Sequence, residues 1–341
     1  MKKTIFILIG IIVFIYLYVF TVECFFEDSI PTVEFPFKNL FDDKGNKLNI
    51  ILIAAPFREK KHEELYEKYK NMDLNFCGIS SYLDFPDTIH NPYEDQFHKT
   101  QNHDYINMVS AWLSCFRQSE KLDKSKLPVL LLSEADLKDH NIYKRHDDIT
   151  KEYDFMYLCL KDNEKCDPGW QSYNRNWDLA KKCLEVMCEK FNLKGCMVGR
   201  ENCEYTNKCM GLVKVLPFLP YHEFQKELEK SKMLFVPNIS DASPRVITEA
   251  ICYNIPVLVN YNILGGWHNV IPGVTGEFFT DETNIAEGIE KIINNYDNYK
   301  PREWFIENRG KEKSGAILAE FLIKNFPNIN NKTMKYATIT I

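Results

Sequence analysis

The sequence has no CxxC pair among its 11 cysteines, no excess of positive charge and no internal repeat. Without CxxC spacing it signals no zinc module. A formal net charge of -6 leaves no dominant basic face, so a nucleic-acid binder is set aside, and an anionic small ligand would need a local basic pocket. No DxD-type pair sits where it would hold a metal: Asp42-Asp43 and Asp147-Asp148 read as solvated acid pairs. What is present is ordinary globular material, 45% hydrophobic and 26% charged. A length of 341 residues suggests about two domains beyond a short N-terminal segment. Cys183 and Cys188, on an expected helix, read as small buried hydrophobes. Cys196, Cys203 and Cys209 lie close together, and a Cys203–Cys209 disulfide is available if the domain faces an oxidising lumen. The odd total leaves at least one cysteine unpaired within the chain.

Residues 4–22, TIFILIGIIVFIYLYVFTV, are almost wholly apolar and approach the roughly 20 residues a helix needs to span a bilayer. Lys2 and Lys3 precede the run, and Glu23, Glu27 and Asp28 follow it. The positive-inside rule then puts the N-terminus in the cytoplasm and the rest across the membrane, a single-pass protein with a lumenal globular part. The run is long for a signal peptide, and no small-x-small cleavage site follows it. Residues 1–23 are therefore expected to anchor the chain, and 24–47 to form a stem. One tension is built in: Asn238-Ile239-Ser240 is a glycosylation sequon inside the region that carries the chemistry below. It escapes modification only if buried, or if the domain never meets that machinery. A second sequon, Asn331-Lys332-Thr333, lies near the terminus, away from that region.

Beyond the stem, continuous apolar runs at 48–55 and 128–132 read as buried parallel strands and 76–80 as another. Residues 59–72 and 105–118 read as helices, and 84–102 as a long loop. The second half alternates cleanly. Strands are expected at 154–160, 195–198, 212–216, 233–237, 256–260 and 277–279. Helices are expected at 177–191, 221–230, 244–253, 283–294 and 313–324. Strict alternation with short connections implies a parallel, doubly wound sheet, which binds ligands beyond its strand C-termini.

The string SDASPRVITEA at 240–250 follows one such strand and opens a helix. Ser243 is a fitting N-cap and Pro244 a fitting first helical residue. The free N–H groups of that turn make an anion site. Arg245 puts a cation where the helix dipole alone would not favour one, which an anionic ligand would explain. Glu249, one turn on, is placed to reach a sugar hydroxyl pair, and Asp241, in the loop, to accept from the hydroxyls of a second sugar.

With its surroundings the string resembles the donor-binding half of the retaining GT-B glycosyltransferases, the glycosyl transferases group 1 or family-four type. The resemblance covers 213–294: a strand and turn to Leu219, a helix, a strand ending Val236-Pro237, Asp241 followed by Glu249-Ala250, the strand start Ile255-Pro256-Val257-Leu258, then Gly265-Gly266 and VIPGVTGE at 270–277. It implies an α/β fold of two Rossmann-like domains facing a cleft, 48–150 on the acceptor side and 151–312 on the nucleotide-sugar side, with 313–341 a C-terminal helix and tail. It also implies that Glu249 holds the donor ribose, Asp241 touches the transferred sugar, and Leu219, Ser243, Pro244 and Arg245 line the donor site. Lys161 and Arg175 match the positions whose cations face the diphosphate, with Lys165 nearby. The chain departs from the family at Asp241, where glutamate is usual, at Ser243-Pro244, and at Ala54-Ala55-Pro56-Phe57-Arg58, which replaces a glycine-rich turn.

In the first domain His98, His103 and Asp104 are candidates for acceptor contact, and Trp170, Trp267 and His268 for the cleft wall. The resemblance implies a transferase moving a hexose-like sugar from a nucleoside diphosphate, with retention, onto a glycan, glycoprotein or glycolipid near a membrane. No cofactor beyond the donor substrate is implied, and no metal. Two rivals stand: a nucleotide-sugar epimerase on the same fold, which would have no use for a membrane tether, and an inactive binding or scaffold protein.

Overall fold

The computed structural model describes residues 30–82, 85–87, 93, 103–143 and 149–339. The expected anchor, the start of the stem, His98, Asp147-Asp148 and most of the 84–102 loop lie outside the described residues. Among the described residues no helix is long and apolar enough to cross a membrane.

Two six-stranded sheets carry the chain. The first holds β1 (Phe37–Asp42), β2 (Lys47–Ile53), β3 (Asn75–Ile79), β4 (Ala111–Ser114) and β5 (Val129–Leu131), with helix α1 (Lys60–Lys70) crossing from β2 to β3. The second holds β6 (Tyr153–Leu158), β7 (Gly195–Val198), β8 (Val213–Leu216), β9 (Ser231–Val236), β10 (Val257–Asn260) and β11 (Gly276–Phe279). Its helices are α2 (Trp177–Phe191), α3 (Tyr221–Glu229), α4 (Arg245–Cys252) and α5 (Ile285–Asn294), and α6 (Pro301–Asn308) and α7 (Gly310–Asn325) lead to β12 (Ala337–Ile339). The second sheet is wholly parallel in the order β11-β10-β9-β6-β7-β8. Its order reverses beside β6, and a crevice opens beyond the strand ends at such a switch point. The helix α2 has the bounds expected of it, and its buried face, Ala180, Cys183, Leu184 and Met187, recurs at helical spacing.

The first sheet departs more from expectation. Part of the supposed stem is β1, antiparallel to β2 and to β12. The expected helix at 105–118 stops at Met108, and Ala111–Ser114 is a strand buried at every position. The indole of Trp112 explains the change. It lies under Gly78 of β3, where an added Cβ would sit 2.1 Å from the ring, a fit only strand pairing brings about. The 128–132 run is an edge strand, with Val129 and Leu131 exposed on one side. Helix α7 returns to this first sheet: Leu318, Ala319 and Leu322 pack with Leu40, Leu48, Ile50 and Leu52. Asp42 is buried and caps a turn, accepting from the N–H groups of Lys44 and Asn46, so it is no solvated acid.

The cysteine pairing also differs. Disulfides join Cys166 to Cys203 and Cys188 to Cys209, not Cys203 to Cys209. The turn at Asn207–Cys209 packs on α2, bringing Cys209 beneath Cys188, while Cys203 faces the 161–176 loop.

Candidate functional site

The site begins at the end of β9. After Val236 the chain turns through Pro237 and Asn238 and enters α4 at Arg245, one residue later than expected, with Pro244 rather than Ser243 in the cap position. The Ser243 hydroxyl does not cap. It is buried with no hydrogen-bond partner, and its residue lines a cavity. A second loop braces this one: Leu264 N–H donates to Ile239 O at 2.9 Å and Gly265 N–H to Asp241 O at 3.0 Å. Only glycine fits there, since a Cβ on Gly265 would lie 1.8 Å from Ala242 O. Gly266 has φ +76 and would drive a Cβ to 2.6 Å from Pro244 Cγ. The glycine pair read in the sequence is thus the support on which the 238–244 loop rests.

The acids are both engaged. Asp241 accepts from the Arg175 guanidinium and, at 3.1 Å, from Asn238 Nδ2. Asn238 is buried, and its side-chain amide is spent on Asp241 in the folded chain. Glu249 Oε1 accepts from Lys138 Nζ at 3.0 Å and from the Tyr221 hydroxyl at 3.0 Å. Tyr143 closes the group, 2.8 Å from both Lys138 Nζ and the Tyr221 hydroxyl. Burial alone would depress the Lys138 ammonium, but Glu249 and Tyr143 outweigh it and raise it above the ordinary lysine value. Burial pushes the Tyr221 phenol up, so it stays a donor.

A cavity of about 360 Å³ lies over these groups, lined by Arg175, Leu219, Asp241, Ser243, Pro244, Arg245 and Glu249, with Phe218 and Tyr221 on its flank. A second, of about 350 Å³, shares Asp241, Ser243 and Arg245 and is walled from the first sheet by Phe35, Lys38, Ser81, Tyr82 and Glu134. The two form one cleft between the sheets. Glu134 is buried there against Lys38, 3.2 Å from the Ser81 hydroxyl and 3.0 Å from Arg245. Arg245 therefore has a protein partner in the ligand-free chain.

Five expected positions fall elsewhere. Lys161 lines neither cavity, because Glu164 and Glu201 hold its ammonium at 2.8 and 2.9 Å. Lys165 faces a separate hollow of about 660 Å³ with Tyr173 and Trp177. His103 packs on Phe57 and lines a hollow that shares no wall with the cleft. His268 is buried, 2.9 Å from both Asp136 carboxylate oxygens, and serves the contact between sheets. Trp267 lies under Arg117, whose guanidinium carbon is 4.4 Å from its ring. Sequence reading missed Glu134, Asp136, Lys138, Tyr143 and Tyr221. The run Ser133-Glu134-Ala135-Asp136 is a capping-box pattern directly after an apolar run, the one local signal for the first two.

Two α/β units face a cleft, and the second is doubly wound, with a helix N-terminus and two acids at its switch point, an arrangement of the GT-B kind. The family model of glycosyl transferases group 1 matches residues 172–312, so the resemblance drawn from 213–294 holds and reaches back to α2. Solved GT-B structures agree in fold. TarM of S. aureus, solved with UDP, superposes with TM-score 0.56 at 14% identity over 81% of this chain and 55% of its own. HepE of Anabaena, solved with UDP-glucose, gives 0.57 at 14% over 81% of this chain and 79% of its own. The pneumococcal O-GlcNAc transferase GtfA, solved with UDP and GlcNAc, gives 0.51 at 10%, again over 55% of its chain. The chain thus spans little more than half the length of TarM and GtfA. No curated protein matches the chain in sequence.

Proposed function

We propose that the protein is a nucleotide-sugar-dependent glycosyltransferase whose donor occupies the cavity between α4 and the end of β6. The observation that carries this reading is the Ser243 hydroxyl, buried without a partner in a residue that lines that cavity, at the start of α4, where the Arg245 and Val246 N–H groups precede the first helical hydrogen bond, from Ile247 to Pro244 O. A diphosphate would satisfy the hydroxyl and that turn together. Arg245 would turn from Glu134 to the anion, and its charge would stabilise the leaving diphosphate as the anomeric bond breaks. Glu249 would take the ribose hydroxyls, and Leu219 and Phe218 would flank the base. Asp241, already oriented by Arg175 and Asn238, would accept from the transferred sugar. The acceptor hydroxyl would enter from the adjoining cavity, where Tyr82 and Phe35 offer exposed rings to a sugar face and Glu134 a hydrogen-bond acceptor.

We infer transfer of a hexose-like sugar with retention, by front-face displacement, onto a glycan, glycoprotein or glycolipid, from a domain tethered by residues 4–22. Two disulfides in the donor half favour an oxidising, lumenal setting. A second reading, an inactive binder, is favoured by one observation: Asp241 is a short carboxylate already tied to Arg175.

The test is sugar release from UDP-, GDP- and ADP-sugars by the full chain in detergent, against Glu249→Ala and Asp241→Asn. Donor-dependent release that both substitutions abolish supports the transferase. Binding without release supports the inactive protein, and release unaffected by Glu249→Ala ends the proposal.

A further inference from the structure

A short strip of the first domain reads the donor helix along its length. Residues Glu134–Leu137 form one tight turn, all four buried, and Lys138 follows directly. Glu134 meets Arg245 at the start of α4, and Lys138 meets Glu249 one helical turn further on. Between them Asp136 is fixed to the second domain by His268 and by Asn269 Nδ2 at 2.7 Å. The backbone is pinned as well, since Lys138 O accepts from Lys311 N–H at 3.1 Å, where the chain crosses back to the first sheet. Lys138 thus stands where both crossings between the domains meet, with its side chain reaching into the donor cavity's wall.

The chemistry of Glu249 requires such a partner. Its side chain is 5% exposed, and burying a carboxylate at that depth without a charged partner is costly. The groups that face it are Lys138 and Tyr143 from the joining segment, Tyr221 from α3, and Cys252 and Tyr253 at the end of its own helix. Among the described residues Lys138 is the one cation that pairs with the carboxylate, while Arg302 is spent on the carbonyl oxygens of Tyr143 and Cys252. Tyr143 and Tyr221 complete the group by hydrogen bonds. Both bonds fall on Oε1, and Glu249 lines the cavity.

We propose that Lys138 is a positioning residue for the donor: from the crossing between the domains it holds the Glu249 carboxylate aimed at the ribose of a nucleoside diphosphate. The proposal rests on Glu249 being the ribose ligand. It also gives the fold a means of coupling, because the residue that sets donor affinity belongs to the acceptor-side domain. Any change in how the domains sit would be felt at the ribose.

The experiment is calorimetric titration of the full chain in detergent with UDP, GDP and ADP and with the matching 2′-deoxynucleoside diphosphates, for wild type, Lys138→Met and Lys138→Arg, with melting temperature recorded for each. The expected result is that wild type binds its ribonucleotide about tenfold or more tightly than the deoxy form, because Glu249 holds the ribose hydroxyls. Lys138→Met should lose that preference, because Glu249 is then no longer aimed at the ribose. Lys138→Arg should keep it. A loss that falls equally on the ribose and deoxyribose forms and follows the melting temperature means the pair is only structural and overturns the proposal. So does wild-type affinity and preference in Lys138→Met. If Lys138→Met does not fold, a preference kept in Lys138→Arg supports the proposal and a preference lost there overturns it. No binding of any nucleotide by wild type overturns this inference together with the donor reading, whereas binding that Glu249→Ala leaves intact removes its premise alone.

Discussion

Replacing Gly265 with alanine would place a methyl group 1.8 Å from the carbonyl oxygen of Ala242, where ordinary contact begins at 3.4 Å. The two loops must therefore part by about 1.6 Å, since the obstacle is backbone and not the end of a flexible side chain. The separation breaks the bond from Gly265 N–H to Asp241 O and disturbs Ala242 O, which also accepts from Cys115 Sγ at 2.8 Å across the cleft. Overpacking of this kind costs about 1–3 kcal/mol, which lowers the melting temperature of a domain this size by roughly 2–12 °C. The effect on the ligand should be larger than the effect on stability. Each group moved out of hydrogen-bond reach of the ligand costs about 1–3 kcal/mol, and Asp241, Ser243 and Arg245 all ride on the displaced loop. The assay is nucleotide affinity by calorimetry and melting by fluorescence, with Gly288→Ala on α5 as control. There the new methyl crowds only the Leu258 Cδ1 tip, at 2.7 Å, a cost that alanine's better helix propensity of about 1 kcal/mol offsets, so affinity should stay. Nucleotide affinity within about twofold of wild type in a folded Gly265→Ala protein would refute the claim that the glycine pair sets the donor loop.

Other perturbations follow from the same geometry. Ser243→Ala removes a buried hydroxyl that has no partner, so the ligand-free protein should melt no lower, while diphosphate affinity falls by about 1.5–3 kcal/mol, measured by calorimetry. Burial opposes ionisation of Asp136, but His268, Asn269 and the Ser133 N–H prevail and hold its carboxyl below the ordinary value. A depressed folded value stabilises above the unfolded one and is lost as pH falls through it, so the melting gap between wild type and Asp136→Asn should be widest above about pH 5 and close below about pH 4. Each disulfide closes a loop, with sequence separations of 37 and 21 residues. On loop-closure entropy each contributes about 3–4 kcal/mol, so reductant should lower the melting temperature, and Cys188→Ser with Cys209→Ser should lower it in oxidising buffer.

The second domain was legible because its signals are local. Its central strands hold buried apolar runs, Met233–Val236 in β9 and Val257–Val259 in β10 above all, and its ligand loop carries its own punctuation in Pro237, Pro244 and Gly265-Gly266. The first domain was legible only in part. The segment 105–118 has apolar residues that satisfy a helical period, and a tertiary contact, Trp112 against Gly78, decides for a strand. The run 128–132 looks like a central strand, and only its place at the sheet edge shows that two of its residues meet solvent. The site divides in the same way. Asp241, Ser243 and Glu249 lie on one loop and helix, so spacing alone brought them together. Lys138 and Glu134 come from more than a hundred residues away, and no local pattern pairs them with α4. Lys161 was misplaced because a loop position does not report its neighbours, and Glu164 and Glu201 claim it first.

The central claim is that a nucleotide sugar sits between α4 and the end of β6, and a crystal structure of the protein with a bound nucleoside diphosphate tests it most directly. The account predicts phosphate oxygens on Ser243 Oγ and the N–H groups that open α4, with the ribose on Glu249. A nucleotide found instead in the hollow beside Lys165, Tyr173 and Trp177, with Ser243 still unpartnered, would contradict it.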